Sequence, residues 1–219
     1  MLTPLRWLVI ALAVAASGCV TAPLAKDYTK FHQIDPRAVL IVPPLNNSQE
    51  VGADTYFLAT VSLPLSEQGY YVFPVNMTRE LLIDAGLSDP GLVHHADPKR
   101  LGELFGADAI LYITVEHWEA KYLVLSTTVI VGFTYVLKET ADGAEIWRHQ
   151  EVMHYTPQQQ STGNPLADLI GAAIQAAITK AMPNYMPLAR QANTKAFVTP
   201  GQGVPAGPHH QRYWKANQP

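Results

Sequence analysis

Hydrophobic and polar positions change period several times along this chain, and each change marks an element. Residues 38–42 are an unbroken run of Ala, Val, Leu, Ile and Val closed by Pro43 and Pro44. Such a run predicts a strand buried on both faces. Leu45, Asn46, Asn47 and Ser48 carry turn chemistry and read as a loop. Over residues 54–69 the apolar positions Tyr56, Leu58, Val61, Leu63 and Leu65 precede Gly69. This spacing predicts a helix ending on glycine, with Pro64 inside it as a point of kinking. Residues 70–75 return to a β pattern, and Pro74 falls near the end, where a missing N–H does least harm to a ladder. Together these segments predict a β-α-β unit.

Two short helices follow. The first covers residues 78–85, with Leu81 and Leu82 behind Arg79 and Glu80; the second opens on Asp97 as N-cap with Pro98 in its first turn and closes on Gly106. Over residues 108–116, Ile110, Tyr112 and Thr114 alternate with Ala109, Leu111, Ile113 and Val115, the period of a sheet strand. Residues 121–138 are β-prone but too polar in the middle to span lipid, and predict one or two further strands. Asp142-Gly143 supplies the positive φ angles of a hairpin turn, and residues 145–155 return antiparallel. Asn164 then caps a helix with Pro165 in its first turn, in which Leu166, Leu169, Ile170, Ala173, Ile174, Ala177, Ile178 and Ala181 recur at helical spacing. This helix is expected to cover the sheet. From Pro200 onward, Gly and Pro alternate with polar residues, which predicts a flexible tail. The expected fold class is α/β of the α+β kind: a mixed sheet, built from an N-terminal β-α-β part and a C-terminal antiparallel meander, flanked by helices.

The beginning of the chain follows none of these periods. Behind Arg6, residues 7–16 are apolar, a length suited to a signal h-region and short of the ~20 residues that span a bilayer. The run ends in Ala16, Ser17 and Gly18, directly before Cys19, the only cysteine of 219 residues. A lone thiol has no disulfide partner and no companion metal ligands. Small residues before a cysteine instead read as a lipobox, although its first position, here Ala16, is more often Leu. The expected product is a lipoprotein whose leader is removed and whose Cys19 carries fatty acyl chains such as palmitate. Each buried CH₂ contributes roughly 0.8 kcal/mol to such attachment, so two or more chains hold lastingly. Val20 stands where an Asp would retain a lipoprotein at the inner membrane, which predicts delivery to the outer membrane, facing the periplasm. The expected organisation is a signal peptide over 1–18, a lipidated tether over 19–36, a single α/β domain over 37–198 and a disordered tail over 199–219.

Composition narrows the function classes. The chain is 48% hydrophobic and 15% charged, with a formal charge of −3, enough apolar material for one cored domain. Loss of Arg6 with the leader leaves 14 basic against 18 acidic residues. No Lys/Arg cluster offers a footprint for nucleic acid, which is therefore not an expected partner. No phosphate-binding Gly loop, nucleophile elbow or HExxH run occurs. His94 and His95 with Asp97 form the best metal-like group, but they read as a polar loop before a helix. Glu116, His117, Trp118 and Glu119 bring two carboxylates near an imidazole, yet in a regular strand Glu116 and Trp118 point one way and His117 and Glu119 the other. His149 and His154, an odd number of residues apart, face opposite sides of a strand. The sequence thus predicts binding, not catalysis, with no cofactor and no metal. Gly171, Ala172 and Ala176 are the candidate interface: beside the Leu/Ile stripe they would let a second backbone approach closely, in a homo-oligomer or on another envelope protein. The alternative is that the alanines merely favour helix.

The order of elements, together with the lipobox, resembles the bacterial lipoprotein family catalogued as domain of unknown function 799, whose members are similar to the TolB amino-terminal domain, the curli secretion lipoprotein CsgG and the penicillin-binding-protein activator LpoB. The matching motifs are the residue 39–44 strand with its Asn46-Asn47-Ser48 loop, residues 106–110, the Asp142-Gly143 turn and Trp147. The resemblance implies a TolB-N/CsgG-like fold and a binding or assembly role in the envelope. Its implied partners are the membrane, through the lipid, and envelope proteins of a CsgG-like system. Two other readings are an activator docking on a peptidoglycan synthase and a hydrolase with a scattered site. No amphipathic hairpins long enough for a membrane barrel are evident, which argues against a pore.

Overall fold

Six strands form one mixed sheet in a computed structural model that describes residues 25–123, 126–156, 164–179 and 184–216. The strands are β1 (Ala38–Ile41), β2 (Leu45–Asn46), β3 (Tyr71–Val72), β4 (Ala109–Leu123), β5 (Ser126–Glu139) and β6 (Glu145–Tyr155). The helices are α1 (Thr29–Ile34), α2 (Ala53–Glu67), α3 (Val75–Asp84), α4 (Pro90–His95), α5 (Pro98–Phe105), α6 (Pro165–Thr179), α7 (Met186–Val198) and α8 (Gln211–Ala216). Strand order is β3-β1-β4-β5-β6, with β2 also paired to β4. β1 runs parallel to β3 and β4, with Val39 opposite both Val72 and Ala109, whereas β4, β5 and β6 are antiparallel. The mixed α+β architecture expected from the sequence is the one observed. Leu45 and Asn46, expected in a loop, instead continue the parallel ladder beside Thr114 and Val115.

Strand alternation separates two cores. Val39, Ile41, Leu111 and Ile113 face the larger one with Phe57, Val61, Leu188 and Phe197 from α2 and α7. Leu40, Val42, Ile110 and Tyr112 face the smaller one with Leu82, Val93 and Leu101 from α3, α4 and α5. The continuous apolar run of β1 follows from this two-sided cover. Asp97 caps α5 by accepting from Lys99 N at 3.0 Å, and Gly106 ends it with φ +71°. A β-bulge between Val115 and His117 corrects one expectation. The extra residue puts Val115 and Trp118 on the same buried face, and Glu116 turns away from Trp118 to accept from Thr134 Oγ1 (2.9 Å) and Asn47 Nδ2 (3.1 Å).

Three further differences concern cover and ends. α7, which the sequence reading did not identify, lies on the sheet with α2, burying Leu188, Ala189, Ala192, Asn193, Ala196 and Phe197. α6, expected there, lies against α7 and the end of β6. Residues 25–36 and 200–213, read as tether and tail, both pack onto the domain. Phe31 of α1 and Val204 are buried. Tyr70 Oη donates to Pro205 O, Trp147 Nε1 to Gln202 O at 3.0 Å, and Tyr213 Oη to Asp35 Oδ2 at 2.7 Å. Composition reported few apolar side chains here; the segment instead contributes backbone carbonyls to aromatic donors. Gly69, at φ +89°, brings residues 207–210 against the end of α2.

One polar chain crosses the larger core. Tyr135 Oη on β5 donates to Asn193 Oδ1 of α7 at 2.7 Å, Asn193 Nδ2 to Thr60 Oγ1 of α2 at 2.9 Å, and Thr60 Oγ1 to Phe57 O at 2.6 Å. Asn193→Ala should leave the Tyr135 hydroxyl buried without an acceptor and cost about 2–4 kcal/mol, the orphaned group plus the lost packing. Urea unfolding measures it, and Asn193→Ala in a Tyr135→Phe background should cost less. Truncation after Thr199 should lower the melting temperature markedly, since each buried donor so orphaned costs about 1–3 kcal/mol. A disordered tail would predict no change.

Candidate anchoring and contact surface

Cys19 and its neighbours Ala16, Ser17 and Gly18 lie outside the described residues. Description begins at Ala25, six positions later. There Lys26 fixes the chain: its backbone N donates to Gly201 O at 3.0 Å, and its ammonium donates to Gln202 O at 2.8 Å and to Arg148 O. The same ammonium lies 4.9 Å from the centre of the Trp147 ring. Burial pushes the Lys26 pKa down to about 8. Two residues on, Tyr28 Oη donates to Gly203 O at 2.5 Å.

His149 extends this cluster, stacked on Trp147 at 5.8 Å between ring centres. Its Nδ1 sits 3.2 Å from Lys26 Nζ and its Nε2 3.4 Å from Glu151 Oε2, while Lys195 Nζ donates to Glu151 Oε1 at 2.7 Å. Because an ammonium can only donate, Nδ1 is the acceptor and Nε2 carries the proton, the neutral tautomer. Burial first, and Lys26 second, hold the His149 pKa below its ordinary value, against the pull of Glu151.

α6 begins as predicted, with Asn164 Oδ1 accepting from Leu166 N at 3.1 Å and Pro165 in the first turn. Its inward side is Gly171 and Ile174; the glycine leaves room for the Tyr155 hydroxyl of β6, so this member of the small-residue group serves the protein's own packing. Leu166, Leu169, Ala172, Ala173 and Ala176 are all exposed and share one side of the helix. Beside them a groove of about 730 Å³ runs between α2, α6 and α7, with Leu63, Pro64, Ile170 and Val198 among its walls. The helical period was legible, but an apolar pattern on both sides could not tell which side faces inward.

The remaining sequence candidates stay apart. His94 lies in α4, not a loop; its Nε2 donates to Pro43 O at 3.0 Å, its ring meets Tyr112 edge-on, and burial lowers its pKa. His95 is exposed and Asp97 caps α5. His117 Nδ1 lies 3.8 Å from Glu119 Oε1, an exposed imidazole beside a half-buried carboxylate. His154 is exposed on the β6 face opposite Glu151. Among the described residues no group of three or more His, Cys, Asp or Glu side chains could hold a metal ion.

Below the unfolded histidine pKa of 6.5, the unfolded chain takes up protons that His149 and His94 refuse in the folded state, so stability should fall as pH drops below about 6.5. His149→Phe keeps the stack on Trp147 and should flatten the slope of unfolding free energy against pH over that window. The slope left behind should shrink again with His94→Phe.

The chain matches the family described as Putative lipoprotein GNA1162-like over residues 26–209, a span that takes in the N-terminal segment fixed by Lys26 and most of the C-terminal one. It is 33% identical over 172 residues, 78% of each chain, to Putative lipoprotein NMB1124/NMB1162 of Neisseria meningitidis serogroup B. The crystal structure of lipoprotein GNA1162 from Neisseria meningitidis superposes with a TM-score of 0.55 at 32% identity, covering 67% of this chain and 98% of that one. The LpoB C-terminal domain from Salmonella enterica is more distant, with a TM-score of 0.36 and 16% identity over 67% of this chain and 93% of its own. By sequence and by fold, this chain belongs to the GNA1162-like family of lipoproteins.

Proposed function

We propose that the protein is anchored by lipid on Cys19 to the outer membrane, faces the periplasm, and works as a binding component in the assembly of an envelope complex of the CsgG-like kind. The observation that carries this reading is the single cysteine directly after Ala16, Ser17 and Gly18 and an apolar leader, in a chain whose relatives are lipoproteins. Among the described residues no helix is long and apolar enough to cross a membrane. Acyl chains on Cys19 are the attachment this reading assigns. Val20 supports sorting to the outer membrane. A binding role suits the site: its titratable groups are tied up in structural contacts, whereas the apolar side of α6 with Ala172 and Ala176 has no cover among the described residues.

Cys19→Ser should abolish incorporation of labelled palmitate and leave the leader uncleaved, seen as a slower band on a gel. Undiminished label on the Ser variant would overturn the anchoring. Label in the wild type together with inner-membrane fractionation would overturn only the sorting.

A further inference from the structure

The exposed side of α6 is an apolar surface left open among the described residues. Leu166 is 66% exposed and Leu169 68%, and across the groove Leu63 is 61% and Val198 38% exposed. Scattered apolar residues on a surface need no explanation, but a contiguous patch beside an apolar groove does. Its place in the fold indicates what covers it. Thr199 and Pro200 line the groove, and the next residue, Gly201, accepts from Lys26 N. The chain therefore leaves the domain toward Cys19 at the groove's edge. Five residues separate Cys19 from Ala25, and so short a segment spans at most about 20 Å when fully extended. With a lipid on Cys19, the bilayer surface lies within that reach of Ala25, beside the groove's edge.

We propose that this side of α6 and the adjoining groove rest on the membrane that holds the anchor, with Leu166 and Leu169 entering the boundary between headgroups and acyl chains. This rests on the anchoring read above and assigns the occupant of the open face. The rim suits the boundary: Arg190 and Lys195 line the groove, and their aliphatic stems can lie on apolar surface while the charges reach lipid phosphates. Lys195 also pairs with Glu151, and Glu67 is the acidic group on the groove wall. The alanines at 172, 173 and 176 continue the same side and keep it free of charge. Bound so, the domain does not swing freely on its tether, and it turns the helices α3, α4 and α5, on the opposite face of the sheet, away from the bilayer.

The chain's cysteine count makes the test direct. An acylated Cys19 has no free thiol, so in the processed full-length protein an introduced cysteine is the one site for a thiol-reactive, environment-sensitive fluorophore. Leu166→Cys and Leu169→Cys are to be compared with Met77→Cys, which is 63% exposed on α3. The proteins are placed in vesicles of phosphatidylethanolamine and phosphatidylglycerol, with and without doxyl-labelled lipid. The expected result is blue-shifted emission and quenching at 166 and 169, neither at 77, and no labelling of the wild type. Absence of quenching at 166 and 169 with an unlabelled wild type would overturn the proposal and leave the anchoring intact. Self-quenching between labelled copies in place of lipid quenching would overturn it in favour of a contact between two copies. Equal quenching at 77 would overturn it as general adsorption. Labelling of wild-type Cys19 would show the anchor itself to be absent, and both readings would fall together.

Discussion

The hydrogen-bonded chain from Tyr135 through Asn193 to Thr60 is the constraint on which the larger core depends. Asn193 and Tyr135 are fully buried, and a buried amide is tolerated only where its oxygen and nitrogen both find partners. That condition fixes α7 in rotation and in height against both β5 and α2. Around it the aromatic rings interlock: Phe57 lies 4.5 Å from Phe133, and Phe197 5.5 Å from Tyr135, between ring centres. Apolar packing of that kind supplies most of the stabilisation but admits sliding; the three polar groups select one register. With α7 so placed, Val198 and Thr199 stand at the groove, and residues 201–204 reach Lys26 and Trp147.

The two ends of the domain are thereby held by each other. Lys26 and Tyr28 donate to Gln202 and Gly203, and Trp147 donates to Gln202 from below. An ammonium beside an aromatic face and two carbonyls keeps attraction even where burial opposes its charge. The neutral His149 beside it belongs to the same arrangement, because a second cation at that ring would face Lys26 at 3.2 Å. The N-terminal exit point is therefore a fixed position on the fold.

Much of this architecture was legible in the residues. The two-sided β1 run, the Asp97-Pro98 helix start, the Asp142-Gly143 turn and the alternation over residues 108–116 each express a local preference that the fold keeps. What escaped was set by tertiary context. The bulge at Glu116 arises from pairing between β4 and β5, and nothing in the local pattern marks it. α7 carried a readable signal in the paired positions 188/189, 192/193 and 196/197, weakened by alanines and by a buried Asn that resembles a surface residue. The packed ends were hidden because their contribution is backbone acceptors, which composition cannot register. Of the surface, Gly171 and Ala172 stand side by side in sequence, yet one faces Tyr155 and the other solvent; only the placement of β6 decides between them.

The contact between Tyr70 and Pro205 joins positions 135 residues apart, and the Lys26 bond to Gln202 closes a loop of 176. Closures of that span are entropically slow, since the whole intervening chain must be brought together before either bond rewards it. A chain emerging from its amino end can pair β1 with β3 and later with β4 while Tyr70 and Trp147 still lack their acceptors. Completion waits for the residues beyond Pro200, so delivery of the chain from its amino end leaves this core open until they arrive.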